Sequence, residues 1–103
     1  MAVTEGWSPP PLYVHENGAC FTEAHDDQRR IDFLADHLAA AHDAIAAGVD
    51  LRGWFVWTLM DNFEWAEGFQ APFGLVHVDL DTLDRTPRRS FGWYRDVLAA
   101  GGL

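Results

Sequence analysis

The sequence predicts an α/β fold in which two parallel strands alternate with two helices. Two short apolar stretches have the composition of strands, and each is followed by a segment whose apolar residues repeat at helical spacing. The segment between the two strands is long enough for the crossover helix that joins parallel strands. With 103 residues, of which 49% are hydrophobic, the chain can form one domain at most, over residues 1–103.

The first strand is predicted at residues 12–14 and is expected to end at Glu16. It follows the run Pro9 to Pro11, which favours extended backbone and cannot lie inside a helix. Asn17 and Gly18 then form a dipeptide that is typical of turns. The strand is expected to be buried.

The first helix is predicted over residues 27–47. Asp26 or Asp27 is the expected N-cap, and Gly48 is the expected stop. The helix should pack one face and expose its acidic side, because its apolar residues recur every three or four positions, at Ile31, Leu34, Leu38, Ala41 and Ile45.

The second strand is predicted over residues 51–60, which are almost continuously apolar, as in strands covered on both faces. Residues 61–73 mix polar and aromatic side chains without a clean period, which predicts a long functional loop containing a helical turn. Residues 74–78 predict a short strand whose hairpin partner lies near Arg85. Ser90 is the expected cap of a last helix that ends at Gly101 and Gly102. One face of this helix is expected to hold Phe91, Tyr94, Val97 and Leu98.

The composition excludes several classes of function. A net charge of −9 repels phosphate backbones, so nucleic acid is not an expected partner, and no run approaches the roughly 20 apolar residues of a membrane span. The single cysteine excludes an internal disulfide. Residues 1–11 lack the pattern of a secretory signal, so cytoplasm is the expected compartment. We expect the basic residues within 85–89 to pair with Asp79, Asp81 and Asp84.

No cofactor and no metal site are expected. The histidines His25, His37, His42 and His77 are not arranged at metal-ligand spacing, and glycine-rich phosphate loops are absent from the sequence. These histidines are therefore expected to be solvated or part of the core.

The residues that carry chemistry follow the two predicted strands. Glu16 comes at the end of the first strand, and Glu64 and Trp65 come shortly after the second, which contains Trp57. Parallel α/β folds place their sites at this carboxyl edge. Carboxylates that bind or attack, beside indoles that stack on a sugar ring, suggest a carbohydrate site. At this point, the tryptophans could equally well be core aromatics of an apolar strand.

Four motifs in order resemble glycoside hydrolase family 1 and extend over essentially the whole chain. They are YVHENG at residues 13–18, WTLMDNFEW at 57–65, FGLV at 73–76 and RTPRRS at 85–90. The resemblance implies that residues 1–103 form the C-terminal part of a family 1 (β/α)8 barrel. They would be its last two βα units, strands 7 and 8 with their helices.

The same resemblance implies a retaining β-glucosidase and a role for five residues. Glu16 would be the nucleophile, and Glu64 would accept hydrogen bonds from the outer hydroxyls of the nonreducing sugar. Trp65 would donate its indole N–H to a neighbouring hydroxyl, Trp57 would stack under the ring, and Phe73 would close the pocket wall. A neutral sugar is expected, because the acid at Glu64 would repel a phosphorylated one.

The resemblance also shows what the chain does not contain. The family's acid/base lies in an Asn-Glu-Pro motif at the end of the fourth strand, and this motif is absent here. The chain alone is therefore expected to be inactive and to need the missing N-terminal barrel portion, or to self-associate through its exposed strand edges.

Three alternatives remain. Glu16 and Glu64 could themselves be the two catalytic carboxylates, the chain could be a non-catalytic carbohydrate-binding module, or it could be a structural remnant without activity. Two departures from the family pattern are His15, where Thr is more common, and Gln70 to Pro72, where a basic residue is usual.

Overall fold

The computed structural model of the protein describes residues 9–102, in which two helices alternate with short strands. The element order is β1 (Leu12–Asn17), α1 (Gln28–Ala46), β2 (Leu51–Val56), β3 (Val76–Val78), β4 (Arg85–Pro87) and α2 (Arg89–Ala100). A short 3-10 turn, Trp65–Glu67, lies in the loop between β2 and β3. The prediction that residues 1–11 hold no secretory signal falls largely on residues 1–8, which lie outside the described residues.

The sheet that carries the candidate site consists of β1 and β2, which pair in parallel, as predicted. Helix α1 is the crossover between them. The pairing is irregular in two places, between Leu12 and Tyr13 and between Val14 and Asn17. Glu16 therefore lies in a stretch where the regular register is interrupted. Gly53 faces Tyr13 closely, since a Cβ built on it would lie 2.4 Å from the tyrosine ring.

The second strand is shorter than the predicted 51–60, because the backbone changes its partner after Val56. Thr58 N donates to Phe73 O at 3.3 Å, and Val76 N donates to Leu59 O at 2.8 Å. Trp57 N still donates to Asn17 O of β1, and from Thr58 onward the segment bonds to the end of the loop instead. The predicted cover on both faces is also wrong for this chain, because Phe55 is 58% exposed.

The hairpin and the helix ends follow the sequence closely, with one exception. β3 and β4 pair antiparallel, as predicted. Gly48 (φ 103°) follows the end of α1, and Gly101 (φ 77°) ends α2 in the left-handed conformation. Ser90, however, is not the cap of α2: the helix begins at Arg89, and the Ser90 hydroxyl donates to Asp27 Oδ2 at 2.5 Å.

A buried polar network joins the starts of both helices. Asp27 precedes α1 and is fully buried, but its carboxylate binds Arg30 Nη1 (2.7 Å) and the backbone N–H of Ser90 (2.9 Å) instead of capping its own helix. Arg30 also donates to the carbonyls of Phe21 (3.1 Å) and Pro72 (2.7 Å). The network thereby holds α1, α2, the segment after β1 and the end of the long loop together.

The apolar core is small. Within residues 9–102, the buried apolar side chains are Ile31, Leu34, Val49 and Leu75. Ile45 and Leu98, both expected on packed helix faces, are mostly exposed. The radius of gyration is 15.6 Å, against about 13 Å for a compact domain of this length. The chain is therefore flat and less compact than a typical domain, and many of its apolar side chains are exposed. No helix within these residues has the length and hydropathy of a membrane span.

Candidate active site

Glu16 lies near the carboxyl end of β1, and its position relative to β2 is fixed by the backbone that follows it. Trp57 N donates to Asn17 O at 2.9 Å. Gly18 lies directly against Trp57, because a Cβ built on Gly18 would be 1.8 Å from the Trp57 carbonyl oxygen. Only glycine allows this approach, so the turn after Glu16 and the start of the Trp57 segment are held in contact.

Trp57 and Glu64 are joined by a side-chain hydrogen bond. The indole Nε1 of Trp57 donates to Glu64 Oε2 at 3.3 Å, and both residues are half-buried. The backbone around Glu64 is folded back on itself, with Glu64 N donating to Gly68 O at 2.6 Å and Glu67 N donating to Glu64 O at 2.8 Å. A carboxylate with one oxygen held by an indole N–H can still accept hydrogen bonds through the other oxygen.

Trp65 and Phe73 lie in the same loop but differ in exposure. Trp65 is 84% exposed, whereas Phe73 is half-buried and its carbonyl accepts the Thr58 N–H. Trp57 contacts Asn17 and Gly18, which directly follow the exposed Glu16, and binds Glu64, so the structure brings the turn after Glu16 and the Glu64 side chain to one edge of the sheet. Phe73 joins them through the backbone, and Trp65 lies beside Glu64 on the surface.

An ion pair at the base of the loop was not predicted from the sequence. Arg88 is 3% exposed, and its Nη1 and Nη2 donate to Asp61 Oδ1 (2.8 Å) and Oδ2 (2.9 Å). Arg88 Nη2 also lies 3.4 Å from His77 Nδ1. The expected pairing of residues 85–89 with Asp79, Asp81 and Asp84 is therefore wrong.

Within the basic segment 85–89 and the acidic segment 79–84, Arg89 and Asp79 also have partners other than each other. Arg89 pairs with Asp26, and the carboxylate of Asp79 accepts the backbone N–H groups of Asp81 and Thr82. Arg88 and Asp61 both lie in recognisable motifs, but 27 residues separate them, and no sequence pattern indicates that they meet.

The Asp61 carboxyl is held in its ionised form. Burial alone raises its pKa, but hydrogen bonds from Arg88 and from the backbone of Gly74 and Val78, with the charge of Arg88, outweigh burial and lower it below its ordinary value. A lowered pKa stabilises the folded chain above about pH 4, and the stabilisation is lost as the pH falls through the folded-state pKa.

Asp61→Asn should therefore cost stability at neutral pH and very little at acid pH, where the protonated wild-type carboxyl resembles the amide. Urea unfolding of both chains, followed by tryptophan fluorescence at a series of pH values, measures the difference. The difference in free energy of unfolding should shrink steadily below about pH 4. A difference that stays constant with pH contradicts this account.

Metal ligands are not clustered in this part of the chain. Among residues 9–102, no group of three or more His, Cys, Asp or Glu side chains could hold a metal ion. His25 and His77 instead meet edge to face, with ring centroids 5.4 Å apart, and His37 Nδ1 lies 2.7 Å from the Phe33 carbonyl.

Comparisons with known proteins all point to one family. The model of glycosyl hydrolase family 1 matches residues 1–103. β-Glucosidase A of Thermotoga maritima is 46% identical over 107 residues, which cover 98% of this chain and 24% of that protein. Thermostable β-glucosidase B of Thermobispora bispora is 50% identical over 97 residues, covering 89% of this chain and 20% of that protein.

A solved structure agrees with these sequences. The T. maritima β-glucosidase in complex with deoxynojirimycin superposes with a TM-score of 0.94 at 45% identity, covering 99% of this chain and 25% of that one. The chain therefore spans about a quarter of the length of the relatives it matches.

Proposed function

Because this chain belongs to glycosyl hydrolase family 1, we propose that it is the C-terminal portion of a retaining β-glucosidase, inactive alone, and that it carries the nucleophile and sugar-binding residues. The parallel β1-α1-β2-α2 order supports its assignment to the last two βα units of the (β/α)8 barrel. Residues 1–103 then form one barrel portion that functions with the remainder.

The observation that carries this proposal is the uncovered face of the sheet. The rings of Tyr13, His15 and Phe55 form a line with neighbouring centroids 6.4 Å apart. Tyr13 and Phe55 are 54% and 58% exposed. In a closed barrel this inward face is covered by side chains of the other strands. The exposed rings therefore support the remainder of the barrel as the partner of this chain.

Glu16 acts as the nucleophile in this proposal. Its carboxylate attacks the anomeric carbon, the bond to the aglycone oxygen breaks, and that oxygen takes a proton from an acid outside these residues. Water then attacks the anomeric carbon of the glycosyl-enzyme and gives a proton to the same outside group, which now acts as a base, so that the sugar is released and the Glu16 carboxylate is regenerated. The location of Glu16 near the carboxyl end of β1, at the edge where parallel α/β folds bind substrate, supports this role.

Glu64, Trp57, Trp65 and Phe73 bind the sugar in this proposal. The Trp57 N–H holds one oxygen of the Glu64 carboxylate and leaves the other to accept from a sugar hydroxyl, and a charged acceptor makes the stronger hydrogen bond. Trp57 stacks under the ring, Trp65 donates to a neighbouring hydroxyl, and Phe73 closes the wall. The negative charge of Glu64 favours a neutral sugar over a phosphorylated one.

The test uses a hybrid enzyme, in which this chain replaces the matching quarter of T. maritima β-glucosidase A. We expect the hybrid to hydrolyse an aryl β-glucoside and the 103-residue chain alone to be inactive. A soluble, folded hybrid without activity contradicts the proposal. Hydrolysis by the chain alone would instead favour Glu16 and Glu64 as a complete catalytic pair. Saturable binding of glucose by the inactive chain in calorimetry would favour a carbohydrate-binding module.

Glu64→Gln in the hybrid enzyme should lower kcat/KM for the aryl β-glucoside by about 10- to 100-fold, the usual worth of a hydrogen bond to a charged group. Glu67→Gln is the matched control. It makes the same chemical change in the 3-10 turn beside Glu64, at an exposed side chain, and should leave kcat/KM unchanged. Equal losses in the two variants would show that Glu64 has no specific role.

A further inference from the structure

We propose that Asp61 and Arg88 are positioning residues that set where the loop bearing Glu64 lies relative to Glu16. This inference rests on the proposed function and adds to it two residues that touch no substrate. We call the two side chains, together with the backbone groups they bind, the Asp61–Arg88 clasp.

The clasp closes the base of the loop. Asp61 begins the loop, and its carboxylate accepts the N–H groups of Gly74 (2.9 Å) and Val78 (3.3 Å), which follow it. Asp61 N also donates to Val76 O at 3.1 Å. One aspartate therefore fixes both ends of the segment that contains Glu64, Trp65 and Phe73.

Arg88 connects this base to the segment that follows the nucleophile. Its Nη1 donates to Gly74 O at 2.6 Å, at the end of the loop. Its Nε donates to Glu23 O at 3.0 Å, in the segment that runs from β1 to α1. A single buried guanidinium thus contacts the end of the loop that bears Glu64 and the segment between β1 and α1, which follows Glu16.

The close packing around the clasp leaves little freedom for adjustment. A Cβ built on Gly74 would lie 2.3 Å from Asp61 N and 2.6 Å from Val76 O, so the two ends of the loop are in backbone contact. The two Nη atoms of Arg88 form a fork that binds both oxygens of the Asp61 carboxylate, a geometry that lysine cannot reproduce. Loss of the fork should shift Glu64 while Glu16 stays on β1. Displacements of about 1 Å at a site can cost about 100-fold in rate.

Asp61→Asn in the hybrid enzyme tests this inference. We expect kcat/KM for the aryl β-glucoside to fall by about 10- to 100-fold per active site. The concentration of active sites is measured by trapping the covalent glycosyl-enzyme. The decisive readout is the ratio of kcat/KM for the β-glucoside to that for the β-galactoside, which differs in the orientation of one outer hydroxyl. The ratio should move toward the value of the Glu64→Gln hybrid, because a displaced Glu64 loses the sugar contact that Glu64→Gln weakens.

Ser90→Ala is the control for a purely structural effect, since it removes a buried hydrogen bond to Asp27 at the start of α2 without touching the clasp. It should lower stability and leave the ratio unchanged. Arg88→Lys keeps the charge and should shift the ratio in the same direction as Asp61→Asn, which keeps the test decisive if Asp61→Asn does not fold.

The outcomes separate the inference from the proposed function. An active wild-type hybrid whose ratio is unchanged by Asp61→Asn or Arg88→Lys overturns the positioning role alone. An inactive, folded wild-type hybrid overturns the proposed function, and the positioning role falls with it.

Discussion

Glu16→Gln in the hybrid enzyme should lower kcat for the aryl β-glucoside by on the order of 10⁴- to 10⁶-fold, as loss of the nucleophile does in other hydrolytic enzymes. The amide has nearly the size and shape of the carboxylate, but it carries no negative charge with which to attack the anomeric carbon. Binding of the sugar should persist, because Trp57 and Glu64 are unchanged. Steady-state hydrolysis together with calorimetric binding of glucose measures both effects.

Asp81→Asn is the control for this substitution, since it removes an equal charge on the exposed turn between β3 and β4. It should leave kcat unchanged. A Glu16→Gln hybrid that keeps more than a small percentage of the wild-type activity, free of contaminating enzyme, contradicts the assignment of Glu16.

Asp27→Ala should have a large effect on stability. It leaves the guanidinium of the buried Arg30 without its carboxylate and removes the acceptor of both Ser90 hydrogen bonds. Removal of one partner of a buried ion pair costs about 3–5 kcal/mol. Few buried apolar residues are present to offset such a loss. The midpoint of urea unfolding of the hybrid enzyme, with the yield of soluble protein, measures the effect.

The neighbouring aspartate gives a matched control. Asp26 is 82% exposed and pairs with Arg89, whose side chain is 58% exposed. Asp26→Ala should therefore cost at most about 1 kcal/mol, the range for surface ion pairs. If Asp26→Ala and Asp27→Ala shift the midpoint equally, the buried network does not hold the helices together as described.

The local pattern of the sequence predicted the elements, because periodicity and turn residues act over short distances. Residues 12–14 and the apolar spacing from Ile31 to Ile45 predicted β1 and α1, and Gly48 and Gly101 marked where the helices end. The point at which β2 stops pairing with β1 was not predictable from this local pattern. The strand prediction ran past Val56 because the composition stays apolar while the hydrogen-bond partner changes.

The residues of the candidate site could be named from the sequence motifs, but the contacts that hold them could not. The motifs pointed to Glu16, Trp57 and Glu64, and their proposed roles stay predictions. The hydrogen bond between Trp57 and Glu64 needs the loop to fold back over seven residues. Ser90 was expected to cap α2 because serine often does so, but the burial of Asp27 beside it gave its hydroxyl another acceptor.

Trapping of the glycosyl-enzyme tests the central claim most directly. A 2-deoxy-2-fluoro-β-glucoside with a good leaving group should form the covalent intermediate in the hybrid enzyme and hydrolyse slowly, because fluorine destabilises the oxocarbenium-like transition state. Peptide mass mapping should then find the fluoroglucosyl group on Glu16, with no label in the Glu16→Gln hybrid. A label on Glu64 or any other carboxylate, or an active hybrid that gains no label, would contradict the account.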